Sequence, residues 1–437
     1  MSIWSPDWSV LIDGVQYSNV TVSNLSIQSG RTDLYEQAVA GYLNIELINL
    51  DGSPIIARIN SGVTVFVKNS LNADVAIFGG TITDLIIGIS NSGSIGIAQK
   101  IKITALGALS RLPKALTNGV LSKDFDGNQI YSILSQLLLL TWATVPAPTT
   151  FQQVSSNQEW SNSTGDYAVL GTGFRWMDQD PATTWATSGN NGLGEIDRPG
   201  NYELTSRSSD EIDIYSIAAQ LSTSGLGYLY EDSLGRVSYA DSTHRTTSLS
   251  VQGYLELSAN DAFSSGLELA TRAGDVRNKV TVTYKAGAQV TVQDTNSINL
   301  FGQLAQNITT SIENLADAQS QANFYLALRA NPQANFNAIS FPLGSSEISD
   351  SDRDNLLAIS MGSAVNILDL PSNMGSNFQG FVEGWQFSAG IKSLTLTMYL
   401  TPLAYSLQAM RWNDVPITEN WSSVVPTLEW QYATLVA

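Results

Sequence analysis

The sequence predicts a mainly β protein with α+β insertions, in which two related small β-barrels flank a mixed α/β middle domain. Short segments that alternate apolar and polar residues recur near both ends of the chain, as expected for strands with one buried face. The chain holds 34 glycines but only 14% charged residues, which is typical of β-rich proteins with many turns. In addition, a long stretch near the amino terminus is repeated near the carboxyl terminus.

The repeat relates Gly62–Leu106 to Gly362–Leu400 at a constant offset of 300 residues. Each copy ends in an alternating strand, Lys100–Thr104 in the first and Leu394–Met398 in the second. We interpret the repeat as a duplication, and chance similarity between apolar strands is the alternative. The matched pairs are Gly62 with Gly362, Val65 with Val365, Val67 with Ile367, Phe78 with Phe378, Gly80 with Gly380 and Ile82 with Val382.

Residues 1–108 form the first predicted barrel. Its strands are short and regularly spaced, which is typical of a small barrel or sandwich. Pairs such as Asp13-Gly14 and Asp51-Gly52 mark the turns between them. The predicted strands are Trp8–Ile12, Tyr17–Gln28, Gly41–Asn49, Val63–Lys68, Asp74–Ile87 and Ser94–Ala105.

Residues 109–255 form the predicted middle α+β domain. Two helices are expected here because apolar residues recur at helical spacing behind capping residues. No element is predicted within residues 150–200, which are rich in Trp, Gly and Ser. The predicted elements are a helix from Gln129 to Leu140, a helix from a cap at Ser209 to about Leu221, and a hairpin of Tyr228–Glu231 with Arg236–Tyr239.

Residues 256–404 form the second predicted barrel, with a helical insertion at about 303–332. The inserted helix is expected over Leu315–Arg329, with Asn314 as its N-cap. The C-terminal arm, residues 405–437, is expected either to pack on a neighbour or to strap its own barrel. The predicted strands are Lys279–Tyr284, Gln289–Asp294, Asn337–Phe341, Ser363–Leu368, Phe378–Ser388 and Ser393–Leu400.

The composition excludes several functional classes. The chain has no cysteine and one histidine, so it has no disulfides and too few ligands for an ordinary zinc site. Its net charge of -18 argues against specific nucleic-acid binding. The most apolar stretch, Ile130–Val145, is too short to span a bilayer, and Met1–Gly14 lacks the features of a secretory signal. We therefore expect no membrane segment.

No catalytic, cofactor-binding or metal-binding residues are predicted, and no cofactor is expected. His244 lies in a polar stretch and is expected to be a solvated turn residue. The stretch Asp124–Asn128 begins like a calcium loop, but Gln129 follows where glycine is needed, so a helix cap is the better interpretation. The acids of Asp350–Asp354 are expected at the start of a helix, where they complement its dipole.

Two kinds of site stay open at this point. Any two of the 39 acidic residues could meet in space as the carboxylate pair of a glycoside hydrolase. The Trp-rich part of the middle domain could bind a sugar, although core and turn roles explain the same residues. Those residues are Trp160, Trp176, Trp185, Asp178 and Asp180.

Several short motifs follow one another in an order that is known from one family. In the first part they are Ile12–Gly14, Gly30-Arg31, Gly41, Asn49 with Gly52, and Phe78–Asp84; in the middle, Gly227–Asp232 and Gly235–Tyr239; in the last part, Asn278–Val282, Asp294–Gly302, Ala316–Ala318 and Gly362–Gly384. In this order the chain resembles the tail hub, or baseplate hub, proteins of long-tailed bacteriophages, which include minor tail proteins. The likeness covers about residues 5–405, but each motif is short.

The resemblance implies a non-enzymatic structural protein at the distal end of the phage tail in the virion. It implies a homotrimeric ring in which two barrels per subunit give pseudo-sixfold symmetry and match a hexameric tail tube. The implied partners are the tail tube or distal tail protein, the tape measure protein, and tail tip or fibre proteins. DNA would pass through the channel during ejection without specific binding. The alternatives are a tail-tip adhesin that binds host surface glycan through the middle domain, and a tail-associated cell-wall hydrolase.

Overall fold

The computed structural model describes residues 4–17, 20–32, 36–49, 54–91, 97–138, 193–262, 267–336, 338–375 and 377–406. The first part of the chain contributes strands alone. They are β1 (Trp8–Ile12), β2 (Val15–Tyr17), β3 (Thr21–Gly30), β4 (Val39–Asn49), β5 (Gly62–Lys68), β6 (Asp74–Asn91) and β7 (Ile97–Leu106).

The middle part mixes short strands with helices. Its elements are β8 (Leu116–Thr117), β9 (Asp124–Phe125), α1 (Asp126–Leu138), β10 (Leu193–Ile196), β11 (Glu203–Leu204), β12 (Ile212–Asp213), α2 (Ile214–Ser224), β13 (Tyr228–Glu231), β14 (Val237–Ala240) and α3 (His244–Gln252). Strands β13 and β14 form the predicted hairpin. Strand β10 joins the other edge of β14 in parallel.

The last part of the chain returns to long strands. Its elements are β15 (Leu255–Ser258), β16 (Leu269–Thr271), β17 (Lys279–Tyr284), β18 (Ala288–Gln293), α4 (Thr295–Phe301), β19 (Ala305–Thr309), α5 (Leu315–Arg329), β20 (Ala334–Phe336), β21 (Ile339–Pro342), α6 (Asp350–Leu357), β22 (Ala364–Leu368), β23 (Phe378–Gly390) and β24 (Ser393–Pro402).

One 12-stranded sheet organises the fold. Its order is β15-β22-β23-β3-β4-β7-β6-β5-β1-β2, with β24 beside β23 and β21 beside β24. Strands β3 and β23 run antiparallel with Ile27 opposite Phe387, so they join the first part of the chain to the last. Both of these side chains are buried in the common core. The predicted mainly β fold with α+β insertions is therefore confirmed.

The two predicted barrels are not separate closed sheets. Within the described residues no sheet closes on itself, because β3 pairs with β4 on one edge and with β23 on the other. The edge that would close the first barrel is therefore used to join the two copies. Two predicted strands of the second barrel, Lys279–Tyr284 and Gln289–Asp294, do form, as β17 and β18. They belong to a different, three-stranded sheet with β19.

The strand pairing repeats within the large sheet. Strands β4-β7-β6-β5 and β21-β24-β23-β22 are neighbours in the same order. The register of β6 on β7 shifts after Ile82, and that of β23 on β24 shifts after Val382. Thr83 and Glu383 are thus bulged residues at equivalent positions. Bulges are persistent features of related strands, so this coincidence supports the predicted duplication.

The predicted offset holds for β6 and β23 but not for the strands before them. Val63 lies opposite Gly80, whereas Val365 lies opposite Gly380. The connection is therefore two residues shorter in the second copy. The matches of Phe78, Gly80 and Ile82 with Phe378, Gly380 and Val382 agree with the structure, whereas those of Gly62, Val65 and Val67 with Gly362, Val365 and Ile367 are wrong by two residues.

The corrected register also aligns a turn that precedes β5 and β22. Asn60 donates its N–H to the carbonyl of Ile82, and Gly362 donates to the carbonyl of Val382. Their φ angles are 68° and 87°, in the left-handed region that favours glycine and asparagine. The same unusual backbone conformation has therefore been kept in both copies with different residues.

The helices begin close to where the sequence places them, with two differences. Helix α1 starts at Asp126 and not at Gln129. Helix α2 starts at Ile214 and not near Ser209, because Asp213 caps it by accepting a hydrogen bond from the N–H of Ser216.

Helices α5 and α6 follow the predictions more closely. Helix α5 spans Leu315–Arg329 as predicted, although Asn314 makes no capping hydrogen bond. Helix α6 begins at Asp350, as expected for these acids, and Ser349 caps it. None of the described helices combines the length and apolar character needed to span a membrane.

Candidate functional site

A buried ion cluster lies where the first and last parts of the chain meet. Glu383 is 1% exposed, and its carboxylate accepts hydrogen bonds from two arginines. Arg31 reaches it from the end of β3 through Nε at 2.8 Å and Nη2 at 2.7 Å. Arg245 reaches it from α3 through Nη2 at 2.8 and 2.9 Å. We call these three residues the junction cluster.

The β-bulge explains how a carboxylate enters an apolar strand. A bulge places two residues opposite one and redirects a side chain, and Glu383 is the extra residue in β23. Its backbone carbonyl also accepts the N–H of Arg31 at 2.9 Å. A Cβ on Gly30 would overlap this carbonyl, and the φ of Gly30 is 83°. Glycine is therefore required at the point where the end of β3 lies against the bulge of β23.

Burial and ion pairing have opposite effects on the pKa of Glu383 in the junction cluster. Burial would raise the pKa of Glu383, but Arg245 and Arg31 beside it lower that pKa below its ordinary value. The ring of Tyr228 lies 4.8 Å from the guanidinium carbon of Arg245 and 5.5 Å from that of Arg31, which adds cation–π attraction. Glu383 is thus ionised in the folded protein, and the arrangement is that of a structural link.

A cavity of about 310 Å³ adjoins the junction cluster. Four arginines contribute to its wall, but Asp241 is the one carboxylate among its described lining residues. Glycoside hydrolysis needs a pair of carboxylates across a cleft, and this cavity does not supply one. The arginines are Arg31, Arg245, Arg277 and Arg329.

A second buried carboxylate links the middle hairpin to the first part of the chain. Glu231 accepts hydrogen bonds from the N–H of Gly41 at 2.7 Å and of Leu109 at 2.5 Å. Burial raises its pKa to about 8, although the two backbone donors lower it in part. Glu231 is therefore mainly protonated at neutral pH, unlike Glu383.

Asp126 also differs from its predicted role. It is the first residue of α1, but its side chain is fully buried and accepts from the Tyr239 hydroxyl at 2.5 Å and the Tyr202 N–H at 2.8 Å. Burial raises its pKa to about 6. Asn128 donates instead to Asp124. The stretch is thus part of the packed start of α1.

His244 is not the solvated turn residue that the sequence predicts. It is the first residue of α3, its side chain is 20% exposed, and Nδ1 lies 2.7 Å from Oδ2 of Asp197. Burial alone would lower the pKa of His244, but Asp197, Glu195 and Asp241 raise it above its ordinary value. Sequence reasoning missed this contact because 47 residues separate the partners.

The apolar hairpin formed by β6 and β7 is the clearest exposed surface. Ile86, Ile87 and Ile89 are 64%, 56% and 74% exposed. Successive strand residues face opposite sides, so both faces of this hairpin present isoleucine to solvent. Exposed apolar patches of this kind mark interaction sites.

The edge of β6 is also open. Residues 84–89 pair with β7 on one edge and with no other described strand. The equivalent stretch of β23, Gly384–Ala389, pairs with β3 at that edge. We call residues 84–89 the open edge.

The Trp-rich group proposed as a sugar site lies outside the described residues. This applies to Trp160, Trp176, Trp185, Asp178 and Asp180. Of the predicted C-terminal arm, the structure describes Tyr405 and Ser406.

The geometry can be compared with known proteins. No family model matches the sequence, and no curated protein matches it. The structure is similar to the 43 kDa tail protein of prophage MuSo2 from Shewanella oneidensis, with a TM-score of 0.52 and 10% identity over 90% of this chain and 98% of that one.

A tail protein from Neisseria meningitidis MC58 is similar too. The TM-score is 0.53 and the identity 11%, over 92% of this chain and 98% of that chain. At such low identity the likeness concerns the fold and covers nearly the full length of both relatives. The resemblance drawn from the order of the motifs is therefore confirmed at the level of the fold: this chain shares the fold of these two tail proteins.

Proposed function

We propose that this protein is a non-enzymatic structural component of a bacteriophage tail, acting as the hub at its distal end. The fold shared with a prophage tail protein and with a second tail protein supports a tail role. The observation that carries the hub assignment is the repeat of β4–β7 as β21–β24 within one sheet. Two copies per subunit would let a homotrimer present six similar units to a sixfold tail tube.

The join between the two copies suggests how such a ring closes. Within one chain, β3 of the first copy pairs with β23 of the second. The equivalent edge of the first copy is the open edge of β6, which carries the exposed Ile86, Ile87 and Ile89. We propose that a strand of the neighbouring subunit pairs there, by strand addition. Three joins within chains and three between chains would then close a pseudo-sixfold ring.

The exposed isoleucines support this arrangement. Each subunit carries a net charge of -18, so like subunits repel one another at long range. Burying one isoleucine contributes about 1.5–3 kcal/mol, which favours association once the strands pair. The acidic composition also suits a channel, because phosphates that pass an acidic wall release few counterions and bind weakly.

The proposal extends to partners and organisation. The ring would contact the tail tube or distal tail protein on one face, and tail tip or fibre proteins on the other, with the tape measure protein ending near its channel. Residues 1–108 and 256–404 would form the two ring units, residues 109–255 the middle domain, and residues 405–437 an arm. Glycan binding through the middle domain stays a prediction, because its tryptophans lie outside the described residues.

The mass of the purified protein tests the proposal. Native mass spectrometry or light scattering should give three subunits per particle, and negative-stain images should show a ring with six similar lobes. A protein that stays monomeric at high concentration, or that forms rings of six chains, would contradict the trimeric hub. Incubation with host cell walls should release no fragments, whereas cleavage would favour a hydrolase.

A further inference from the structure

Three potential metal ligands meet at the start of α3, next to Arg245 of the junction cluster. Glu195 lies in β10, Asp197 follows that strand, and His244 begins α3. Their ligand atoms all lie within 4.8 Å of one another. The sequence predicts no metal site because it has one histidine and no cysteine, but here two carboxylates join that histidine. We propose that Glu195, Asp197 and His244 bind a first-row divalent cation, with Zn²⁺ as the natural probe.

The distances fit such an ion after a modest movement of one side chain. Zinc lies about 2.0–2.2 Å from nitrogen and oxygen ligands, so two donors at tetrahedral angles lie about 3.4 Å apart. Nδ1 of His244 and Oδ2 of Asp197 are already 2.7 Å apart, and no two of the three donor atoms are more than 4.8 Å apart, so the donors would have to shift by about an ångström at most. Glu195 is exposed to solvent, so an ion has a route of entry.

The donor set selects the class of ion. Calcium and magnesium take oxygen ligands alone, whereas imidazole favours zinc and its first-row neighbours. His244 would bind as the neutral imidazole, and the proton now shared with Asp197 would be released. Three protein ligands leave one position for water, as in open zinc sites.

The backbone and the neighbouring side chains position the three ligands. Strand β10 pairs with β14 at Leu193 and Ile196, with an irregularity between them that redirects the intervening residues. Oδ2 of Asp197 also accepts the N–H of Asp241 at 3.0 Å. The imidazole packs edge-on against Tyr228, with centroids 6.4 Å apart. Supporting contacts of this kind orient metal ligands.

The ion would connect the end of β10 to the start of α3. Strand β10 is the edge of its three-stranded sheet, and α3 carries Arg245 directly after His244. Binding would therefore fix the helix that supplies Arg245 to Glu383. A ligand that binds the folded state alone raises its stability by mass action, so the melting temperature should rise with zinc.

Calorimetric titration of the full chain after treatment with EDTA tests the site. We expect one Zn²⁺ per chain to bind saturably, with a higher melting temperature and no comparable effect of Ca²⁺ or Mg²⁺. Since His244 is the single histidine of the chain, its imidazole NMR signals should shift on the same titration. Absence of saturable Zn²⁺ binding would overturn the proposal.

Substitutions locate the ion. Glu195→Gln and His244→Gln should each weaken Zn²⁺ binding at least about tenfold, the lower limit for loss of an orienting partner. The control Glu256→Gln removes an exposed carboxylate from β15 and should bind like the unsubstituted protein. If His244→Gln melts early in EDTA, the exposed Glu195→Gln still decides the question. Equal affinity of Glu195→Gln and Glu256→Gln would place the ion elsewhere and reject the site.

Discussion

The bulges of β6 and β23 have the same backbone irregularity, but their bulged side chains lie in different surroundings. In the first copy the bulged residue is Thr83, which is exposed. In the second copy it is Glu383, which is buried and bound by two arginines. Both copies thus kept the same main-chain irregularity, while one copy uses the bulge as an internal link. The other copy left the same edge open.

The largest expected difference between the copies concerns the bulged residues themselves. Glu383→Ala would leave Arg31 and Arg245 buried without their carboxylate, and losing one partner of a buried ion pair costs about 3–5 kcal/mol. Thr83→Ala is the matched control in the first copy and should change the free energy of unfolding by less than about 0.5 kcal/mol. Urea unfolding measures both. Equal losses for the two variants would show that the bulges are energetically equivalent.

The close approach of Gly30 in β3 to β23 gives the next largest expected effect on stability. Gly30→Ala and Gly14→Ala both place an alanine at positive φ, 83° and 80°, and share that penalty. A Cβ on Gly14 would meet no atom within 4 Å, whereas one on Gly30 would meet Glu383. Gly30→Ala should therefore lose about 1–3 kcal/mol more, the usual range for overpacking. Equal melting curves for the two variants would mean that β3 and β23 move apart at Gly30 without loss of stability.

The open edge should matter for assembly and not for folding. Ile87→Lys places a charge where the neighbouring subunit is proposed to bind, so the association should weaken by about 1.5–3 kcal/mol per contact with unchanged thermal unfolding of the monomer. Ile391→Lys is the control, because Ile391 in the β23–β24 hairpin is 62% exposed, close to the 56% of Ile87. Analytical ultracentrifugation compares them. An unchanged trimer in Ile87→Lys would move the interface away from this edge.

The two buried glutamates should respond oppositely to pH. The pKa of Glu231 is raised to about 8, so its protonated form is favoured by folding. Its stabilising effect is complete below the unfolded pKa of 4.5 and is lost as the pH rises towards 8. Between pH 6 and 7 it should lower the free energy of unfolding by about 1.4 kcal/mol.

The variant Glu231→Gln isolates this effect. The pKa of Asp126 is also raised, to about 6, and the pKa of His244 is raised above its ordinary value. The measurement is therefore the difference in slope between the unsubstituted protein and the variant. Glu383 has a lowered pKa, so its contribution is present above its unfolded pKa and is lost on acidification. If the variant keeps the full slope between pH 6 and 7, Glu231 is ionised and not the origin of the dependence.

The sequence allows the strands and the repeat to be predicted because both rest on local patterns. Alternation identified most long strands, and Phe78, Gly80 and Ile82 marked the second copy correctly. The predicted alignment of β5 with β22 was wrong by two residues, because the shorter connection between β22 and β23 leaves no local signal in the sequence. The junction cluster was missed because it joins residues from three distant parts of the chain. One sign was available: Glu383 is a charge among apolar residues of a strand, where pairing should be expected.

The bond between Arg31 and Glu383 joins residues 352 positions apart, and this separation has a temporal consequence. Ribosomes add about 5–20 residues per second, so β3 emerges many seconds before β23 exists. During that interval one edge of β3 has no partner strand. A strand from another nascent chain on the same polysome would be able to pair with it. Correct folding therefore depends on β23 pairing with β3 of its own chain before a strand of another chain does.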